Sequence, residues 1–141
     1  IISPILRAGL IFTDEAVDIL PQAAIRHIGM YRDEKTLKPV WYYNKVPMPV
    51  DRPAEDYYVY ITDPMLATGG SACDAISRLK NDGYTNIRLM CLVASPKGVK
   101  AVTTQHPDVE IFLASLDEGL NERNYILPGL GDAGDRIFGT K

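Results

Sequence analysis

An apolar run at residues 57–61 ends at Thr62 and a single acid, Asp63. The chain then passes through Pro64, Met65, Leu66, Ala67 and Thr68 to Gly69, Gly70 and Ser71. Those residue types, in that order, suit a sugar phosphate held at the carboxyl end of a strand. The run reads as a buried parallel strand, because it lacks the polar alternation of a half-exposed one. A carboxylate at its end accepts hydrogen bonds from ribose hydroxyls. Two glycines let the backbone approach a phosphate closely, and the N–H groups of a following helix start point at it. Thr68 and Ser71 add hydroxyl donors, and either also suits a helix N-cap.

Two arginines and one glycine-rich segment extend this chemistry. Arg7 follows the apolar stretch 1–6 and precedes Ala8-Gly9, so a guanidinium stands at a strand end beside small neighbours and can grip a diphosphate through two N–H donors. The competing reading is a solvated surface arginine. Arg32 closes Gly29-Met30-Tyr31-Arg32, where position alone favours a solvated charge. Near the C-terminus, residues 125–136 contain Pro128, Gly129, Gly131 and Gly134. Such a segment follows an irregular course and offers backbone rather than side chains, although a plain glycine-rich connector has the same composition.

The elements that must position these residues alternate. Residues 1–6 read as a strand interrupted by Pro4, and a turn at 7–9 leads to a helix with Phe12, Ala16, Ile19 and Leu20 on one face. Asp14 and Glu15 lie in its first turn, where acids suit the helix dipole. Residues 24–31 form a second strand, 32–38 a polar loop and 40–46 another extended piece. Pro47, Pro49 and Pro53 mark a surface excursion. After the strand at 57–62 comes a helix with Ala72, Ile76 and Leu79 inward, stopped by Asn81-Asp82-Gly83. A strand at 87–94 follows, then a helix opened by Ser95-Pro96 and closed near His106-Pro107, then a strand at 109–114. Strands alternating with helices of this length imply right-handed βαβ units and a parallel sheet, with ligands at the strands' carboxyl ends.

Bulk composition narrows the function class. With 141 residues the chain is read as one domain, 1–141, and its 46% hydrophobic and 23% charged residues are ordinary for a globular protein. A net charge of −3 argues against broad nucleic-acid binding. No apolar run approaches the roughly 20 residues of a membrane span, and no signal peptide is visible. The expected location is therefore cytoplasmic, with neither nucleic acid nor membrane as partner. The two cysteines, Cys73 and Cys91, read as reduced packing residues. His27 and His106 lack any partner at metal-ligand spacing, and no protein metal site is expected. The polar stretches 117–119 and 121–123 read as structural loops. Trp41, Tyr42 and Tyr43 suit packing or a dimer surface better than a base-stacking platform.

The string 61–72 resembles the phosphoribosyl-diphosphate (PRPP) loop of type I phosphoribosyltransferases, in the form found in uracil phosphoribosyltransferases. The string 125–136 resembles that family's uracil-binding segment, and the two occur here in the family's order. The resemblance implies an α/β fold, the type I phosphoribosyltransferase fold: a central parallel sheet flanked by helices, with a small hood and hairpin arm. It implies transfer of the phosphoribosyl group of PRPP to N1 of uracil, giving UMP and diphosphate in pyrimidine salvage. It makes Arg7, Arg32, Asp63, Pro64, Met65, Leu66, Ala67, Thr68, Gly69, Gly70, Ser71 and Asp132 the PRPP contacts. Ile126, Gly131, Asp132 and Ala133 line the base, and Arg7, Arg32 and Asp132 are the candidate catalytic residues.

The resemblance also implies Mg²⁺ carried mainly with PRPP, a homodimer or higher homo-oligomer, a GTP effector, and a mobile lid in the loop after Arg32. Family members carry a further N-terminal portion, so the chain is expected to represent about the C-terminal two-thirds of one. Many phosphoribosyltransferases open the PRPP loop with two acids, whereas Thr62-Asp63 has one, as in the uracil enzymes. This weakens any direct hold of the protein's carboxylates on a ribose-bound ion. The rival reading is a PRPP- or UMP-binding regulatory protein of pyrimidine genes on the same fold. It needs a basic face for RNA, and no concentrated Lys/Arg run is present. A catalytically idle domain attached to a nucleoside kinase is a second rival, opposed by the intact Asp63, Thr68, Gly69 and Asp132.

Overall fold

The computed structural model describes residues 1–33, 39–44 and 52–140. In chain order its elements are β1 (Ile2–Leu6), α1 (Thr13–Ile19), β2 (Ile28–Arg32), β3 (Pro39–Asn44), β4 (Tyr58–Thr62), β5 (Met65–Leu66) and α2 (Gly70–Asn81). They continue with β6 (Asn86–Ala94), α3 (Pro96–Gln105), β7 (Glu110–Leu116), β8 (Gly119–Leu120), β9 (Ile126–Leu127) and α4 (Ala133–Phe138). Among the described residues seven strands form one sheet, in which β1 runs parallel to β2 and β4, and β6 runs parallel to β4, β5 and β7. Strand β3 pairs antiparallel with β2 and forms a hairpin arm. The expected lid, 34–38, and residues 45–51 of the surface excursion lie outside the described residues.

The core sits between the sheet and the pair α2 and α3. Val59 and Ile61 from β4 and Ile87, Leu89 and Cys91 from β6 face Ala75, Ile76 and Leu79 of α2 and Val102 of α3. The apolar positions of α2 recur one turn apart, which gives one buried stripe, and Ala72, Ile76 and Leu79 are buried as expected. The helix ends where Asp82 caps it and Gly83 adopts a positive φ of 93°. Along β6 the burial alternates, with Arg88 and Met90 on the opposite face from the core residues.

The helix after Arg7 differs from expectation. A 3₁₀ turn occupies Ala8–Phe12 before α1 starts at Thr13, and no residue of α1 is buried; Ile19 is 76% exposed. Of the four positions expected on one inward face, Phe12 and Ala16 are half-buried, whereas Ile19 and Leu20 at the end of α1 are exposed. Trp41 packs on the core and donates Nε1–H to Asp74 Oδ2 at 3.4 Å, tying the hairpin arm to α2. Tyr42 and Tyr43 stay exposed.

Candidate active site

Because β1, β2, β4, β6 and β7 are parallel, their carboxyl ends share one edge of the sheet. Arg7 follows β1, Arg32 is the last residue of β2, Asp63 follows β4, Ser95 follows β6 and Asp117 follows β7. The registers Pro4↔Thr62 and Thr62↔Met90 align the three central ends. The turn after β1 is anchored sideways, since Thr62 Oγ1 donates to the Gly9 carbonyl at 3.2 Å. A side chain at Gly9 would run into the Thr62 carbonyl oxygen and the Pro4 backbone.

The segment after Asp63 is not a free loop. Asp63 N–H donates to Met90 O, and Leu92 and Val93 both donate to Pro64 O. Met65 and Leu66 then form β5, in register with Val93 and Ala94 of β6. Asp63 Oδ1 accepts the Met65 amide at 3.2 Å. Gly69 is the N-cap of α2, in the left-handed region at φ 85°, and makes no side-chain cap hydrogen bond. Neither Thr68 nor Ser71 is the N-cap: the sharp bend needs a residue that tolerates positive φ, and only the glycine does so without strain. The first-turn amides of α2 therefore face a small cleft, lined by Asp63 and residues 65–72, without a capping side chain. Beneath it, Cys91 is held as the thiol, its pKa raised by burial and by the Asp63 charge.

The C-terminal segment reaches the same edge. Arg7 Nη2 lies 3.4 Å from Asp135 Oδ1, and the guanidinium stands 5.7 Å from the centre of the Phe138 ring. Asp132 caps α4, its Oδ1 accepting the Asp135 amide at 2.9 Å. Strands β8 and β9 form a short hairpin in which Glu118 donates to Leu127 O and Asn121 to Tyr125 O. By the alternation of an antiparallel ladder, the N–H and C=O of Ile126 between them point away from β8. The Ile126 side chain is buried, as is Ala133, while Gly131 is exposed at φ 73°.

The strings expected at the site meet at one edge of the sheet, held there by residues that the sequence does not single out. Asp117, taken for a loop residue, accepts the Gly129 amide on Oδ2 at 2.9 Å and so pins the glycine-rich segment to the end of β7. Its signal was an acid directly after an apolar strand. Ser95 and Gly98 hold the turn at 66–69 from behind, and nothing beyond a helix-cap pattern marked them. His106 is buried, bonded to Ser77 Oγ and the Cys73 carbonyl, a link between α3 and α2. A larger cleft of about 530 Å³ opens at the amino ends of β1 and β4, among Ile1, Ile19, Leu20, Arg52, Tyr57 and Tyr58. It holds none of the expected site residues, several of which line the smaller cleft at the carboxyl edge.

This architecture is that of a type I phosphoribosyltransferase: an α/β fold on a mostly parallel sheet. A purine phosphoribosyltransferase from Pyrococcus horikoshii superposes with a TM-score of 0.57 and 26% identity, over 79% of this chain and 68% of that one. The AQ2163 protein from Aquifex aeolicus superposes with a TM-score of 0.91 and 37% identity, over 99% of this chain and 65% of its own. The family model "Uracil phosphoribosyltransferase" matches residues 1–140, and the chain belongs to that family. A uracil phosphoribosyltransferase from Clostridium botulinum strain Hall is 58% identical over 140 residues, 99% of this chain and 65% of the relative. The chain thus spans about two-thirds of the length of the curated relatives it matches.

Proposed function

We propose that the protein transfers the phosphoribosyl group of PRPP to N1 of uracil, releasing diphosphate and giving UMP. One observation carries this reading. Arg7, a PRPP contact by the resemblance, and Asp135, in the C-terminal uracil string, meet at 3.4 Å although 128 residues separate them, which supports reading the diphosphate and base contacts as parts of one site. The N1–C1′ bond forms as the C1′–O bond to diphosphate breaks, through a transition state with oxocarbenium character. Most of the protein's work is alignment, exclusion of water and neutralisation of the charge gathering on the leaving group. Arg7 and Arg32 take the diphosphate. Asp63 takes the ribose hydroxyls, and residues 64–71, with the amides that open α2, take the 5′-phosphate. Asp132 completes the PRPP contacts beside the base.

Magnesium enters with the substrate, on the diphosphate. Among the described residues no three His, Cys, Asp or Glu side chains gather as a cation cage, and Asp63 alone does not make a resident site. The resemblance further implies a homo-oligomer and a GTP effector, and these follow from it alone; the cytoplasmic location stays an expectation. Among the described residues no helix is long and apolar enough to cross a membrane.

Backbone groups around Ile126, Gly131 and Ala133 read the base. Uracil offers N3–H as donor and O4 as acceptor, and cytosine reverses both. A backbone reader held by Asp117 and the β8–β9 hairpin cannot exchange its N–H for its C=O. Each buried mismatch costs about 1–3 kcal/mol, so two together separate the bases by several orders of magnitude. The test is kcat/KM for uracil, 5-fluorouracil and cytosine side by side. 5-Fluorouracil, whose reading edge is unchanged, should be accepted; comparable rates for cytosine and uracil would refute the assignment.

A further inference from the structure

The phosphate-binding turn has a support behind it that is not part of either family string. Ser95, the N-cap of α3, is fully buried. Its Oγ donates to the Ala67 carbonyl at 2.6 Å and accepts the Gly98 amide at 3.0 Å, while its own N–H donates to Leu66 O at 2.9 Å. One hydroxyl therefore ties the turn to the start of α3. Gly98 closes the contact sterically. A Cβ there would lie 2.6 Å from both the Leu66 and the Ala67 carbonyl oxygens, which are backbone atoms that cannot swing aside. From the other side, a Cβ on Gly69 would lie 2.8 Å from Ala101 Cβ and 3.0 Å from the Gly98 carbonyl oxygen.

The consequence for the site follows from peptide geometry. The Ala67–Thr68 peptide is not among the cis bonds of the chain, and in a trans peptide the C=O and the next N–H point in opposite directions. Holding the Ala67 carbonyl inward on Ser95 therefore turns the Thr68 N–H outward, toward the cleft. We propose that Ser95 and Gly98 are positioning residues for the sugar-phosphate site, which fix the 66–69 turn so that its donors are set for the 5′-phosphate before substrate arrives. Neither residue touches the ligand. Both act through the Ala67 peptide, and the inference rests on the reading of this cleft as the PRPP site.

The test compares Ser95→Ala, Gly98→Ala and a control, Val102→Ala, which thins the buried face of α3 without touching the turn. Kinetics, binding and stability are measured on the full protein: kcat with KM for PRPP and for uracil, calorimetric binding of ribose 5-phosphate, and the thermal midpoint. Ser95→Ala and Gly98→Ala should each raise the PRPP KM and the ribose 5-phosphate Kd by about tenfold or more, with the uracil KM within about twofold of the parent. Val102→Ala should lower the midpoint and leave both phosphate-dependent constants in place. Unchanged PRPP and ribose 5-phosphate constants in the two turn variants would overturn the proposal, and so would an equal loss in Val102→Ala. If the parent protein binds ribose 5-phosphate but does not turn over uracil, the uracil reading falls alone and the variants still decide the brace by ribose 5-phosphate affinity. If the parent does not bind ribose 5-phosphate, both fall.

Discussion

Gly69 and Gly70 are neighbours whose missing side chains serve different ends. From residue type alone both glycines make room for a phosphate. The direction of an absent Cβ depends on α3, nearly thirty residues further on, and no local pattern encodes it. Gly69 holds a left-handed backbone and its Cβ position points into Ala101, so its first duty is to the fold. A Cβ on Gly70 would meet nothing nearer than Thr68 Oγ1 at 3.8 Å, so space there is open until a ligand fills it. Gly69→Val should then cost roughly 1–3 kcal/mol of stability through backbone strain and the clash with α3, and abolish PRPP binding with it. Gly70→Ala should leave stability equal or raise it by about 0.5–1 kcal/mol, as alanine does in helices, and still weaken PRPP binding. Thermal midpoints and calorimetry on both variants separate the two duties. Parental PRPP affinity in Gly70→Ala would mean that no phosphate oxygen approaches that position.

Long elements with a full period were readable, and short ones were not. The stripe Ala72, Ile76, Leu79 spans two turns and its burial followed from spacing alone. β5, β8 and β9 are two residues each, too short to show any alternation. Residues 10–12, the later part of the 3₁₀ turn at Ala8–Phe12, read as helix because their apolar content is helical and only their winding differs. Helix α2 is the element on which the site depends most, since its first turn faces the cleft while its later turns fill the core. Leu79, fully buried two turns from Ala72, should cost about 2–5 kcal/mol when replaced by alanine. Arg78, on the outer face and, among the described residues, paired with Asp82, should cost no more than about 0.5 kcal/mol. Denaturant unfolding of the two variants gives the comparison, and equal losses would mean that α2 is not anchored by its apolar stripe.

For the whole molecule, one property of the sheet does most to assemble the site. Parallel strands deliver every strand-to-helix turn to the same edge, so residues 7, 63, 95 and 117 converge without any of them being near another in sequence. Alternation of strands and helices made that convergence legible. Strand order was not, because which strand pairs with which is decided by packing between distant segments. The net charge of −3 fits the same picture: an acidic molecule holds an anionic substrate only where arginines and helix-start amides are gathered locally.

Strand β6 is bonded along both edges, by β4 and then β5 on one side and by β7 on the other. Its amides are released only when the whole sheet opens, so they should be the slowest in the protein to exchange with deuterated solvent. The turn from Asp63 to Leu66 is grafted onto that strand and shares its protection. Residues 125–136, by contrast, hang on Asp117, a two-residue hairpin and the half-exposed Arg7–Asp135 pair, and local opening should exchange them orders of magnitude sooner. On gentle warming the protein should therefore lose its discrimination between bases while it still grips the sugar phosphate.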